Sequence, residues 1–133
     1  MTLNIRVIAP DKTVWDSKVD EVILPSSTGQ LGILKGHAPL LTALDTGVMR
    51  VRIQKQWTPI VLFGGFAEVE QDDITILVNG AEQITDIDLQ VEQDNLNTLT
   101  EQLEIVNTNT EKIEITQKLK KVQARIQACS QNL

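Results

Sequence analysis

The sequence predicts an α+β protein: an N-terminal antiparallel β-sandwich followed by a C-terminal antiparallel α-helical hairpin. Three observations carry that expectation. Apolar residues recur with period two up to about Asp86 and with spacings of three and four beyond it. All seven glycines and all four prolines lie before that point. Turn signals break the first part every few residues, as short strands joined by tight turns require. The expected division is residues 1–86 for the sandwich and 87–133 for the hairpin.

Each element has its own pattern. Leu3, Ile5 and Val7 alternate with Asn4 and Arg6, and Met49, Val51 and Ile53 alternate with Arg50, Arg52 and Gln54. Ile74, Ile76 and Val78 mark a further strand, and Trp57 to Phe63 another. Between the runs stand Pro10-Asp11, Pro25-Ser26, Thr28-Gly29, Gly36-His37, Thr46-Gly47, Gly64-Gly65, Asp72-Asp73 and Asn79-Gly80, each read as a turn.

In the second part Leu96, Leu99, Leu103 and Val106 form one helical stripe. Ile115, Leu119, Val122, Ile126, Cys129 and Leu133 form a second. Asp88 suits the N-cap of the first helix, and Asn107-Thr108-Asn109-Thr110 suits the turn between them. The charges divide as well. The first helix is acidic and the second, from Lys112 on, basic, so the helices can pair with each other or offer a basic face to an acidic partner. Asn and Thr residues around 95–100 are mediocre helix formers, about 0.5–0.7 kcal/mol worse than Ala each. The hairpin therefore has to dock its apolar stripe, on the sandwich or on another protein. A marginal element with two docking sites is the physical form of a switch.

Composition excludes several functions. The chain has 133 residues, 12 basic and 18 acidic, for a net charge of −6. Such a surface opposes nucleic-acid binding, which needs phosphate neutralisation, and opposes a polybasic membrane anchor. Aromatic residues are 3% of the chain, so the core has to be Val, Ile and Leu. Cys129 stands alone and is read as a small structural residue. The N-terminal residues lack the features of a signal or transit peptide, and no apolar run approaches the roughly 20 residues that span a bilayer.

Catalytic signals are equally sparse. There is no P-loop, no CxxC and no HExxH. Ser26, His37 and Asp45 could be drawn as a hydrolytic set, but no nucleophile-elbow context accompanies them. The sole histidine, His37, precedes Ala38-Pro39 and reads as a turn residue. No catalytic residue, metal ligand or cofactor site is expected.

Residues 29–50 read GQLGILKGHAPLLTALDTGVMR. Gly29, Leu31, Gly32, Ile33, Leu34, His37, Ala38, Pro39, Leu40, Leu41, Thr42, Gly47 and Arg50 match, in order, the signature stretch of the epsilon subunit of rotary F-type ATP synthases. Gly64-Gly65-Phe66, then Glu68-Val69 and Ile74-Thr75-Ile76-Leu77, form a second match. Leu3-Asn4, Val14-Trp15-Asp16-Ser17 and Val22-Ile23-Leu24 are similar to the chloroplast and cyanobacterial branch.

The resemblance implies a non-catalytic rotor subunit. Its sandwich would bind the gamma subunit and the ring of membrane c subunits, with the turn carrying Gln30, and nearby His37, facing the polar loops of that ring. Its hairpin would rise toward the alpha/beta head and inhibit ATP hydrolysis, with Lys118, Lys120, Lys121 and Arg125 facing an acidic loop of beta. Location at the stromal side of a thylakoid membrane, or its cyanobacterial counterpart, follows, with a plastid origin favoured. Some bacterial members bind ATP through a motif I/L-D-x-x-R-A. Aligned with residues 110–115, Glu111 and Glu114 replace its Asp and Arg, so nucleotide binding is not expected. Gln30 replaces a carboxylate of some bacterial members. Two readings of other classes are a peptide-binding adaptor that dimerises through its hairpin and a small hydrolase using His37.

Overall fold

A computed structural model describes residues 2–130, so Leu133 of the second stripe lies outside the described residues. The strands are β1 (Leu3–Ala9), β2 (Lys12–Val19), β3 (Glu21–Ser26), β4 (Gly29–Leu34), β5 (Leu40–Ile53), β6 (Gln56–Glu70), β7 (Asp73–Val78) and β8 (Ala81–Gln83). A 3₁₀ turn at Ile84–Asp86 leads into α1 (Leu89–Ile105) and α2 (Asn109–Ser130). The strand order is β2-β1-β7-β6-β5-β3-β4, with β8 on β6. Neighbours are antiparallel except β1 and β7, which run parallel because no hairpin constrains their direction.

The long strands β5 and β6 pair from Leu40↔Val69 to Ile53↔Gln56 and belong to both layers of the sandwich. Leu40–Leu44 face the β7-β1-β2 side through β6, while Met49–Ile53 lead to β3 and β4. Folding this ribbon over itself brings the inner faces together. Leu3, Ile5, Val7, Leu24, Ile33, Met49, Ile60, Leu62, Ile74 and Ile76 meet in one core. Alternation produces this directly, since every second residue of a strand points the same way.

Two expected turns lie inside strands, and a third falls at a strand end. Gly64-Gly65 sits within β6, where φ is +77° and +148° and the ladder skips only the Asp45–Gly64 pair. A Cβ on Gly65 would overlap the Leu77 carbonyl oxygen and sit 2.8 Å from Val78 Cα. The glycines therefore allow a strand to bend against β7 rather than end. Thr46-Gly47 lies in β5, where a Cβ on Gly47 would sit 2.8 Å from Pro25 Cβ. Pro25-Ser26 ends β3, and the buried Ser26 hydroxyl donates to Gly29 O (2.7 Å) and accepts from Thr28 N (3.2 Å).

Two tight turns use residues other than the usual Asn-Gly pair, and of these only the second, beside the expected Asp72-Asp73 turn, is signalled by the sequence. Gln54-Lys55 joins β5 to β6 and Gln71-Asp72 joins β6 to β7, all four residues with φ between +49° and +68°. Two-residue hairpin loops demand that conformation and normally recruit Asn or Gly. Asp72 stays useful all the same, its carboxylate accepting from Gly36 N at 2.7 Å and tying the loop after β4 to the other layer.

Gly65→Ala is expected to destabilise the sandwich by about 3 kcal/mol, from a positive-φ conformation and a backbone overlap. Gly32→Ala, which meets nothing within 4 Å, is expected to stay within about 0.5 kcal/mol of the parent. Urea unfolding of the two variants separates them.

Candidate functional site

None of the possible chemistry converges. Ser26 bonds within its own turn, His37 Nδ1 lies 2.7 Å from Ala38 O, and neither contacts Asp45. Among the described residues no cluster of His, Cys, Asp and Glu could hold a metal ion. The functional features are surfaces.

Gly29, Leu31 and Gly32 lie on β4, His37, Ala38 and Pro39 in the loop after it, Leu40, Gly47 and Arg50 on β5, and Phe66 beside Gly64 and Gly65 on β6. Gln30 and His37, expected at one edge, stand at opposite ends of β4. Gln30 is next to the Ser26–Gly29 turn and pairs with Pro25, whereas His37 follows the far end, where its N–H donates to Leu34 O at 3.2 Å. Seven positions along an extended strand carry the chain roughly 20 Å, which the short sequence interval conceals. Gln30 accepts from Arg50 Nη2 at 3.4 Å, and the Trp57 ring has Arg50 and Arg52 each 5.8 Å from its centre. Arg52 in turn reaches Glu21 at 3.1 Å.

The outer face of the other layer carries an apolar row. Ala43 pairs with Phe66, Phe66 with Leu77, and Leu77 with Ile8 across four strands. Phe66 is 57% exposed, Leu77 53% and nearby Leu41 71%. Side chains this large, aligned and uncovered, mark a docking face.

The hairpin covers part of the opposite face. Asp88 caps α1, its Oδ1 accepting from Gln90 N (3.1 Å) and Val91 N (3.3 Å), and Thr108 accepts from Glu111 N (3.2 Å) ahead of α2. Leu96, Leu99 and Leu103 are half-buried, facing the buried Ile115, Leu119 and Val122 of α2. Ala124 and Ala128, which the apolar stripe did not include, pack against Val48 and Val61 with Phe63 and Ile87 alongside. This cluster is separate from the sandwich core, and small side chains let the helix lie close on the sheet. Alanine adds little to a hydrophobic stripe, so the sequence hid this second face.

Arg125 sits at the junction of β8, α1 and α2. Its Nη2 and Nε donate to Glu82 Oε1 (2.7 Å) and Oε2 (2.9 Å), and its Nη1 to Glu92 Oε1 (3.0 Å). The guanidinium lies 5.3 Å from the centre of the Phe63 ring, and Lys121 Nζ lies 5.2 Å from it. Hydrogen bonding to Glu82 raises the Arg125 pKa above its ordinary value, with burial opposing and the charges of Glu82 and Glu92 reinforcing. Of Lys118, Lys120, Lys121 and Arg125, expected to face an acidic partner when the hairpin is raised, Arg125 is engaged within the chain while the hairpin is docked. Lys118, Lys121 and Arg125 line a groove of about 380 Å³ between the helices, while Lys120 borders Asp45 and Thr46. The Cys129 thiol pKa is raised by burial first and by the Glu92 charge second.

Residues 2–84 match the family model described as ATP synthase, Delta/Epsilon chain, beta-sandwich domain. Over 98% of its length the chain is 65% identical to the chloroplastic ATP synthase epsilon chain of Pyropia yezoensis, covering 97% of that protein. This chain belongs to the ATP synthase epsilon chain family. The epsilon chain of a Cyanothece species is 59% identical, with 96% of this chain and 95% of that one covered. The fold also matches a chain in the Euglena gracilis mitochondrial ATP synthase, with a TM-score of 0.87, 18% identity, and 96% and 81% of the two chains covered. An epsilon chain is a subunit of its enzyme and not the catalytic chain. The Ile-Asp pair that opens the family's ATP motif occurs here at Ile87-Asp88, the start of α1, rather than at 110–115. In that frame Val91 stands at the arginine position and Glu92 follows it.

Replacing the fully buried Ala128 by Leu is expected to push α2 off Val48 and Val61 and weaken hairpin docking by about 1–3 kcal/mol. Thermal unfolding followed at 222 nm should then show the helical signal lost earlier, with the sandwich transition unmoved.

Proposed function

We propose that this epsilon-family chain is a non-catalytic rotor subunit whose sandwich is the anchor and whose hairpin is a movable brake on ATP hydrolysis. The reading rests chiefly on one contrast. The sandwich closes a large core of its own, while the hairpin rests on it through a small separate patch around Ala124 and Ala128, the Arg125–Glu82 pair, and Lys121 and Arg125 over the Phe63 ring. Such an element can leave without unfolding what it leaves behind.

On this reading the row Ala43, Phe66, Leu77 and Ile8, with Leu41 beside it, is the face for the gamma subunit. Gln30, next to Arg50, faces the polar loops of the c ring, and His37, at the other end of β4, approaches gamma rather than the ring. The similarly folded chains in the Euglena and Tetrahymena mitochondrial ATP synthases belong to assemblies that include the c-ring, and we carry that setting to this chain. The raised hairpin would present Lys118, Lys120, Lys121 and Arg125 to an acidic loop of beta, where complementary charge speeds and orients docking. On this reading, supported by chloroplastic and cyanobacterial relatives, the subunit sits on the stromal or cytoplasmic side of a thylakoid membrane, held there through the complex. The chain has no active site of its own in this scheme. With Val91 and Glu92 where the ATP-binding members carry Arg and Ala, it is expected to bind no nucleotide.

The test is ATP hydrolysis by a catalytic core stripped of this subunit, with either the full chain or residues 1–86 added back. The full chain is expected to inhibit, and the shortened chain to bind without inhibiting. Equal inhibition by both would remove the hairpin from the regulatory role.

A further inference from the structure

We infer that the Glu82–Arg125–Glu92 cluster is the latch that sets how often the hairpin leaves the sandwich, with Glu82 as the catch on the sandwich and Arg125 as the bolt on the hairpin. The inference rests on the proposed reading that the hairpin undocks.

The apolar part of the contact is small. Ala124 and Ala128 meet Val48 and Val61, with the partly buried Phe63 and Ile87 packed alongside. Hydrophobic attraction scales with the apolar area removed from water, and alanine contributes little of that. Among the described residues four ion pairs occur, and Arg125–Glu82 is the one that joins hairpin to sandwich. It is also the pair with the best geometry, a two-pronged contact at 2.7 and 2.9 Å between side chains that are 23% and 27% exposed. Planar two-pronged contacts of this kind are stronger and more directional than single ones.

The two carboxylates have different jobs. Glu92 is on α1, so its bond to Arg125 travels with the hairpin when the hairpin leaves. It is 6% exposed, and its Oε2 has no partner in the protein. Undocking therefore breaks the Glu82 contact, opens Glu92 to water, and keeps Arg125 placed by its remaining carboxylate. The same guanidinium is then free to meet an acidic partner. Because one cation cannot serve Glu82 and that partner together, the two docked states exclude each other.

The test uses the full chain with Cys129→Ser and Val61→Cys. Val61 is fully buried beneath α2, so the rate at which a small thiol reagent labels the new cysteine reports undocking. Glu82→Gln and Arg125→Gln are each expected to speed labelling about ten- to a hundredfold, the range for losing hydrogen bonds to a charged group. Combining them should add little beyond Arg125→Gln alone, and helical circular dichroism should stay at the parent level in Glu82→Gln. Rates within about twofold of the parent, or effects that multiply as independent sites, would overturn the latch. So would helix loss in step with labelling, which would make the cluster a support of the hairpin's own fold. The inhibition assay separates this from the brake itself. Faster labelling with unchanged inhibition keeps the latch and removes the brake.

Discussion

Everything in the molecule is arranged around the bent ribbon of β5 and β6. These strands are long enough to serve both layers, and they do so because Gly64 and Gly65 let β6 turn with backbone angles that L side chains rarely adopt. Close approach of β7 at Gly65 leaves no room for a side chain. Hydrogen bonds from Asn79 N to Gly64 O (3.1 Å) and from Phe63 N to Gly80 O (3.0 Å) fasten the following loop to the bend. Once the ribbon folds over, alternation in every strand sends one set of side chains inward and the other to the surface. The outer faces then become surfaces available for contact with other molecules.

Those outer faces have contrasting chemistry. One carries the uncovered row from Ala43 to Ile8. The other is divided between the Arg50–Trp57–Arg52 stack and the patch beneath α2. Neither resembles a catalytic cleft, since polar groups are spread along strands instead of converging on a cavity. The hairpin belongs to this surface economy. Its larger apolar residues, Leu96, Leu99, Ile115 and Leu119, are used between the two helices, leaving alanines for the sandwich.

Much of the architecture was legible in the residues. Period-two runs located β1, β7 and the core parts of β5 and β6, and the Asp88 cap located α1. What was lost follows from physics that pattern does not encode. Glycine signals both a turn and a bent strand, so Gly64-Gly65 and Thr46-Gly47 were read as ends of strands that in fact continue. Gln54-Lys55 turns without the usual residues because strong pairing on either side over-determines it. Closeness in sequence also misplaced Gln30 relative to His37, since a whole strand separates them. Among the candidate contacts, basic charge on α2 was visible but the intramolecular use of Arg125 was not. Its carboxylates come from positions 43 and 33 residues away.

A movable hairpin requires an inequality of stability: a sandwich secured by its own core and a hairpin secured to it weakly. Amide hydrogen exchange on the unmodified chain measures this directly, because each amide reports the smallest opening that exposes it. Amides of β5, β6 and β7 should exchange only through global unfolding. Those of α1 and α2 should exchange orders of magnitude faster. Uniform protection across both parts would contradict the account, for it would make sandwich and hairpin one cooperative unit with nothing free to move.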